Sequence, residues 1–149
     1  MRDVKFRVYD DGRMKYPEEY KENRFDNYFI DLNGQLRYYQ NCYDGGFFDT
    51  DNAKLMQFTG LHDKNGKEIY EGDILQQVHY VFSNDEYDHK GFKKLIIQVS
   101  WGQKEAAFIF KVIKKIDIEM PKDYKEPYRE VIGNIYENPE LLKGADNIE

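Results

Sequence analysis

Asp63-Lys64-Asn65-Gly66-Lys67-Glu68-Ile69-Tyr70-Glu71-Gly72-Asp73-Ile74-Leu75 is the stretch that decides the fold class. Asn65-Gly66 closes a tight turn. A two-residue hairpin turn of type I′ needs φ > 0 at both central positions, and Asn and Gly accept that conformation most easily. Ile69 and Tyr70 lead into Glu71-Gly72-Asp73, where Gly72 relieves a second bend. Ile74 and Leu75 then open a long strand that runs through Val78, Tyr80 and Phe82. Strand, turn, Gly-Asp bend and long strand are the parts of a small SH3-like barrel, an analogy of fold that carries no function with it.

The same turn chemistry recurs outward from this stretch. Asp11-Gly12 and Asn33-Gly34 each lie between β-prone segments, so hairpins are expected for residues 5–10 with 13–16 and 28–32 with 35–39. Gly12, Asn33, Gly34, Asn65, Gly66 and Gly72 are therefore structural turn residues. In the first strand Val4, Phe6 and Val8 alternate with Lys5, Arg7 and Tyr9, the pattern of a half-buried strand. Leu95, Ile97, Val99 and Trp101 alternate with Ile96, Gln98 and Ser100 in the same way. Phe108, Phe110 and Val112 alternate with Ile109, Lys111 and Ile113. Both of those faces are largely apolar, which predicts a central strand. Residues 130–136 form a further strand, with Gly133 as a bulge or a close approach.

Helix signals are few. Pro17-Glu18-Glu19 suits the opening of a short helix. Asn138-Pro139-Glu140-Leu141-Leu142 suits a one-turn helix near the end, with Asn138 as N-cap, Pro139 in the first turn and Gly144 to stop it. Residues 83–91 and 120–127 read as loops. The predicted fold is mostly β: N-terminal β-hairpins over residues 1–54, packed on a C-terminal SH3-like, barrel-type sheet over 55–144, then one short C-terminal helix and a frayed tail at 145–149. The two β regions are not expected to fold separately.

Composition supports sheet and narrows the class. Of 149 residues, 13 are Tyr and 10 are Phe, with Trp101 the lone Trp. Aromatic side chains favour pleated, half-buried surfaces, and Tyr tolerates one wet and one dry end. Cys42 is the only cysteine and has no partner for an internal disulfide. Met1-Arg2-Asp3-Val4-Lys5 lacks the apolar region of a signal peptide. No apolar run approaches the ~18 residues of a membrane helix. The expected location is the cytoplasm. Formal net charge is −6, with 9 basic against 11 acidic residues up to Gly60 and 13 against 17 after it. That balance disfavours binding to nucleic acid mainly by phosphate neutralisation.

Catalytic and metal chemistry finds no motif. Asp63, Glu68, Glu71 and Asp73 are close in sequence, and Asp63-x-Asn65-Gly66 faintly resembles a calcium loop. The glycine stands at the fourth position instead of the sixth, and Ile74 occupies the place of the bidentate glutamate. Turn chemistry and a solvated rim account for these carboxylates. His62, His79 and His89 lack metal-ligand spacing. Cys42 has neutral or acidic neighbours, which do not lower a thiol pKa. There is no Gly-x-Ser-x-Gly elbow, Gly-x-Gly-x-x-Gly run or P-loop, and Asp44-Gly45-Gly46 reads as a loop. The expectation is a non-enzyme with no cofactor and no metal.

Two binding surfaces stand out. Lys93 and Lys94, with Lys111, Lys114 and Lys115, are the basic clusters, and Phe92, Trp101, Phe108 and Phe110 lie near them. Such a combination suits nucleic-acid contact by stacking, while lysines on a strand also protect an edge from pairing. Phe47-Phe48 in a Gly-rich loop is either an interaction anchor or core packed beneath the hairpins. Tyr-rich β-proteins with strand edges suit pairing with another copy or with a partner protein.

Two long blocks carry a family resemblance. One is residues 55–75, Leu55-Met56-Gln57-Phe58-Thr59-Gly60-Leu61-His62 and onward through Leu75. The other is Val131-Ile132-Gly133-Asn134-Ile135-Tyr136-Glu137-Asn138-Pro139-Glu140-Leu141-Leu142. With the opening Val4-Lys5-Phe6-Arg7-Val8-Tyr9-Asp10, the chain resembles the YopX-like family of bacterial phages and prophages. Residues 16–50 and 83–91 stand outside the match. The resemblance implies a mostly-β protein of the host bacterial cytoplasm, encoded by mobile DNA, and supplies no catalytic residues. It leads to a phage accessory protein that self-associates or binds a host or phage protein. The alternative is a nucleic-acid-binding small β-barrel. Membrane partners are not expected.

Overall fold

The computed structural model describes residues 4–16, 26–31, 33, 35–40, 46–50, 52–81, 91–120, 122 and 128–143. Pro17-Glu18-Glu19, Gly34, Cys42, Phe82, His89, Gly144, the 145–149 tail and nearly all of the loops at 83–91 and 120–127 lie outside the described residues. Among the described residues the chain is mostly strand, with no helix long and apolar enough to cross a membrane. It divides into two compact units, Met1–Phe58 and Thr59–Glu149.

The first unit opens with β1 (Phe6–Asp10) and β2 (Arg13–Lys15). Asp10 stands opposite Arg13, and Asp11 and Gly12 hold φ of 50° and 75°, as a two-residue hairpin loop requires. The other edge of β1 pairs with the first half of β6 (Lys54–His62), from Phe6 opposite Gln57 to Tyr9 opposite Lys54. β1 buries Arg7 as well as Val8. Simple alternation therefore misplaces Arg7: its Nη2 donates to the Met56 sulfur at 3.7 Å, and its guanidinium lies 6.0 Å from the Tyr16 ring centroid. A separate antiparallel sheet runs β3 (Asp26–Ile30), β4 (Leu36–Gln40), β5 (Gly46–Asp49). Gly46, Phe47 and Phe48 belong to a strand, not to the loop their glycines suggest, because β4 supplies a pairing edge for them.

The second unit takes the end of β6, then β7 (Glu68–Tyr70), β8 (Asp73–Val81), β9 (Gly91–Gly102), β10 (Ala107–Ile118) and β11 (Tyr128–Asn134). Its four-stranded antiparallel sheet has the order β10-β9-β8-β11 and curls into a half-barrel. Leu75, Leu95, Ile97 and Val99 line one face, Ile69 joins them from β7, and Phe110 and Val131 pack against the group. Burying each such side chain contributes about 1.5–3 kcal/mol, so this cluster dominates the packing of the unit.

Four sequence expectations change here. The segment containing Phe108, Phe110 and Val112 is an edge strand, not a central one. The register slips between Val112 and Lys114, so Ile113 is an extra residue turned into a buried position. That slip brings apolar residues to both faces without placing a strand on each side. At Asn65-Gly66 only Gly66 holds positive φ, at 82°. The Gly66 N–H donates to the Asp63 carbonyl at 3.0 Å and the Asp63 N–H to the Lys67 carbonyl at 2.8 Å, which makes a three-residue loop with a glycine bulge in place of a type I′ turn. The last strand begins at Tyr128 instead of Glu130 and ends at Asn134. The terminal helix is a single 3-10 turn, Pro139–Leu142, and the Asn138 side chain does not cap it. Its Oδ1 accepts the Asn134 N–H at 3.3 Å instead. Gly133 makes that possible, since a Cβ there would meet Asn138 Oδ1 at 2.5 Å.

Candidate functional site

The two outer strands of the curled sheet end differently. On β11, the Arg129 carbonyl accepts the Lys64 N–H at 2.8 Å and the Val131 N–H donates to Asp63 Oδ2 at 3.2 Å. Lys64 also pairs with Glu130 at 3.3 Å. The turn at Asp63–Gly66 thus covers that edge. β10 is the other end of the sheet order, twelve residues long.

Register fixes what β10 presents. Phe108 stands opposite Trp101, Phe110 opposite Val99 and Val112 opposite Ile97. Directly paired residues share a face, so these side chains continue the core face towards the edge. Trp101 is 43% exposed and Val112 39%. The Trp101 and Phe108 rings meet edge-to-face at 5.1 Å, and the Trp101 backbone N–H donates to Glu71 Oε1 at 3.3 Å. Together they make an apolar stripe along the rim.

The five lysines divide across this sheet. Lys94, Lys111 and Lys114 stand opposite Ile116, Gln98 and Ile96, on the face away from the core cluster, and Lys115 stands opposite Leu95 on the core face. Lys93 is buried and bonded to Asp117, its cross-strand neighbour. Lys111, Lys114 and Lys115 are exposed. Phe47 and Phe48 occupy β5 at positions opposite Tyr39 and Tyr38; their side chains lie outside the described residues.

The carboxylates near the deciding turn serve separate local tasks. Asp63 is buried. Its Oδ1 accepts the N–H groups of Asn65 at 2.7 Å and Lys67 at 2.9 Å. Burial works against its charge, but the N–H groups of Lys67, Val131 and Asn65 outweigh burial and hold the carboxyl below its ordinary value. Glu68 accepts the Tyr70 hydroxyl at 2.6 Å, and Asp73 accepts the Tyr70 N–H at 2.8 Å across the bend made by Gly72, whose φ is 80°. Burial first, and Glu71 second, raise the pKa of the Tyr136 phenol. Among the described residues no three His, Cys, Asp or Glu side chains gather as metal ligands.

The Asp63 arrangement is repeated in the first unit. Asp31 Oδ1 accepts the N–H groups of Asn33 at 2.8 Å and Gln35 at 3.0 Å, and the Asp31 N–H donates to the Gln35 carbonyl at 2.9 Å. The spacing Asp-x-Asn-Gly in both places is the signal that finds the pair. A polar cluster of Asp10, Lys15 and Tyr28 carries no such signal. Lys15 Nζ donates to Asp10 at 3.1 Å and to the Tyr28 hydroxyl at 2.8 Å, and the Tyr28 hydroxyl donates to Asp10. The Tyr28 bond, opposed by burial and aided by Lys15, lowers the Asp10 pKa.

Two crystal structures are similar over 96% of this chain and 100% of their own. One is protein EF1440 from Enterococcus faecalis, at 25% identity and TM-score 0.53. The other is protein yopX from Bacillus subtilis, at 22% identity and TM-score 0.51. No curated protein matches the sequence. The profile described as YopX protein matches residues 5–143, and the chain belongs to the YopX family.

Proposed function

We propose that this protein is a non-enzymatic phage or prophage accessory protein of the bacterial cytoplasm that binds another protein, and that the rim of β10 is where an extended segment of the partner docks. The observation that carries this reading is the apolar stripe of Trp101, Phe108, Phe110 and Val112 along a twelve-residue edge strand. Strand addition draws affinity from main-chain hydrogen bonds and specificity from alternate side chains, and β10 offers both. The non-enzymatic part rests on the carboxylates. Asp31 and Asp63, whose acidity is altered, are committed to backbone N–H groups of turns, and Asp10 to Lys15 and Tyr28.

Nucleic-acid binding is the weaker reading. A phosphate track needs cations along one surface, whereas Lys93 is bonded to Asp117 and Lys115 shares a face with Leu95 instead of with Lys111 and Lys114. Self-association belongs with the first reading, and the edge position of β5 in the three-stranded sheet supports it.

The test is capture from lysate of phage-carrying cells with nuclease present, using the natural chain and Val112→Lys. Retention of a discrete protein by the natural chain, and its loss with Val112→Lys, is expected. Loss of all retained material on nuclease treatment overturns the proposal.

A further inference from the structure

We infer that the segment docking on β10 is acidic, with carboxylates alternating with apolar side chains; this rests on β10 being the docking edge. The chain carries a net charge of −6, yet β10 is locally cationic. Among the described residues, ion pairs join Lys15 to Asp10, Arg37 to Asp31, Lys64 to Glu130 and Lys93 to Asp117. Lys111, Lys114 and Lys115 are exposed and take part in none of them. The one acidic residue of β10, Asp117, is bonded to Lys93. Among the described residues, three ammonium groups with no carboxylate partner therefore lie along five residues of the strand that ends the sheet order.

Their placement specifies a pattern. Lys111 and Lys114 stand on the face away from the core cluster, and Val112 on the core face. An added strand alternates its side chains between the same two faces. Its residues on the lysine face are complemented by carboxylates, and those on the core face by apolar groups that extend the stripe of Phe108, Phe110 and Val112. A second copy of β10 fits poorly: antiparallel pairing about Ile113 sets Lys111 of one strand opposite Lys115 of the other, and like charges directly opposite repel.

Lysines on an edge also serve to repel any incoming strand, and the two roles predict different binding. Trp101 is the only Trp and stands at the end of the stripe, so its fluorescence reports occupancy. The full chain is titrated with an alternating Glu-Val octapeptide, with its Gln-Val counterpart and with oligo-dT, at low and at moderate salt. The acidic peptide is expected to bind roughly tenfold or more tightly than the Gln-Val peptide. That preference shrinks with salt and disappears in Lys111→Gln/Lys114→Gln, while weak Gln-Val binding persists. Equal binding of the two peptides overturns the acidic assignment and leaves β10 as the docking edge. Response to oligo-dT alone, or to none of the three, overturns the docking edge itself.

Discussion

The Arg129 guanidinium of β11 lies 4.9 Å from the ring centroid of Phe110 of β10, although these strands are at opposite ends of the sheet. Four strands laid flat would hold their outer members about 14 Å apart. The curl brings Phe110 and Val131 over one cluster of Leu75, Leu95, Ile97 and Val99. Gln77 steadies the guanidinium, accepting from Arg129 Nε at 3.3 Å. The contact fastens the two rims by side chains where no backbone ladder joins them.

A double-mutant cycle measures that fastening. Phe110→Ala and Arg129→Ala each destabilise in urea, Phe110→Ala the more because it also loses packing. Their coupling energy is expected at about 0.5–1 kcal/mol, the size of a partly exposed cation–π contact. Strict additivity overturns the role assigned to the pair.

Acid sensitivity is expected from Asp63. Its folded pKa is depressed below the ordinary 3.8, so the stability it supplies is present above that value and is lost as pH falls through the folded pKa. Asp10 and Asp31 contribute with the same sign. Urea midpoints should fall below about pH 4 in the natural chain, and less steeply in Asp63→Asn. Asp63→Ala leaves the N–H groups of Asn65, Lys67 and Val131 without their acceptor and should cost about 2–3 kcal/mol or more near neutral pH. Parallel acid profiles for the natural chain and Asp63→Asn would remove Asp63 from the account.

Local chemistry was legible in the sequence, and long-range pairing was not. Asp11-Gly12 gave its hairpin because both residues accept positive φ. Asn65-Gly66 gave a turn but not its type, because the Asp63 carboxylate draws in two N–H groups and leaves Gly66 alone in the left-handed region. The edge position of β10 was hidden by Ile113, whose bulge imitates a strand apolar on both faces. Arg7 looked solvent-facing because the strand that covers it, β6, is some fifty residues away. Of the rim, the residue types were visible, but their shared face depends on register with β9.

Backbone strain alone should govern substitution at Gly66. A Cβ there meets nothing within 4 Å, but φ is +82°. Gly66→Val should cost well over ~1 kcal/mol, and Gly66→Asn clearly less, since Asn tolerates the left-handed region. Thermal unfolding of the two variants makes the comparison. Equal costs would mean that the loop rearranges to another turn.

Steric contact governs Gly133 instead. The ideal Cβ would stand 2.5 Å from Oδ1, 2.8 Å from Cγ and 3.0 Å from Cβ of Asn138. That side chain is held in place by the Asn134 N–H, so it cannot withdraw without giving up a hydrogen bond. Gly133→Ala is therefore expected to destabilise by about 1–3 kcal/mol. In an Asn138→Gly background the obstructing atoms are gone, and the same substitution should cost only a few tenths of a kcal/mol. The cycle separates crowding from any intrinsic need for glycine at the bulge. If Gly133→Ala costs as much without the Asn138 side chain as with it, the close approach is not what demands glycine there.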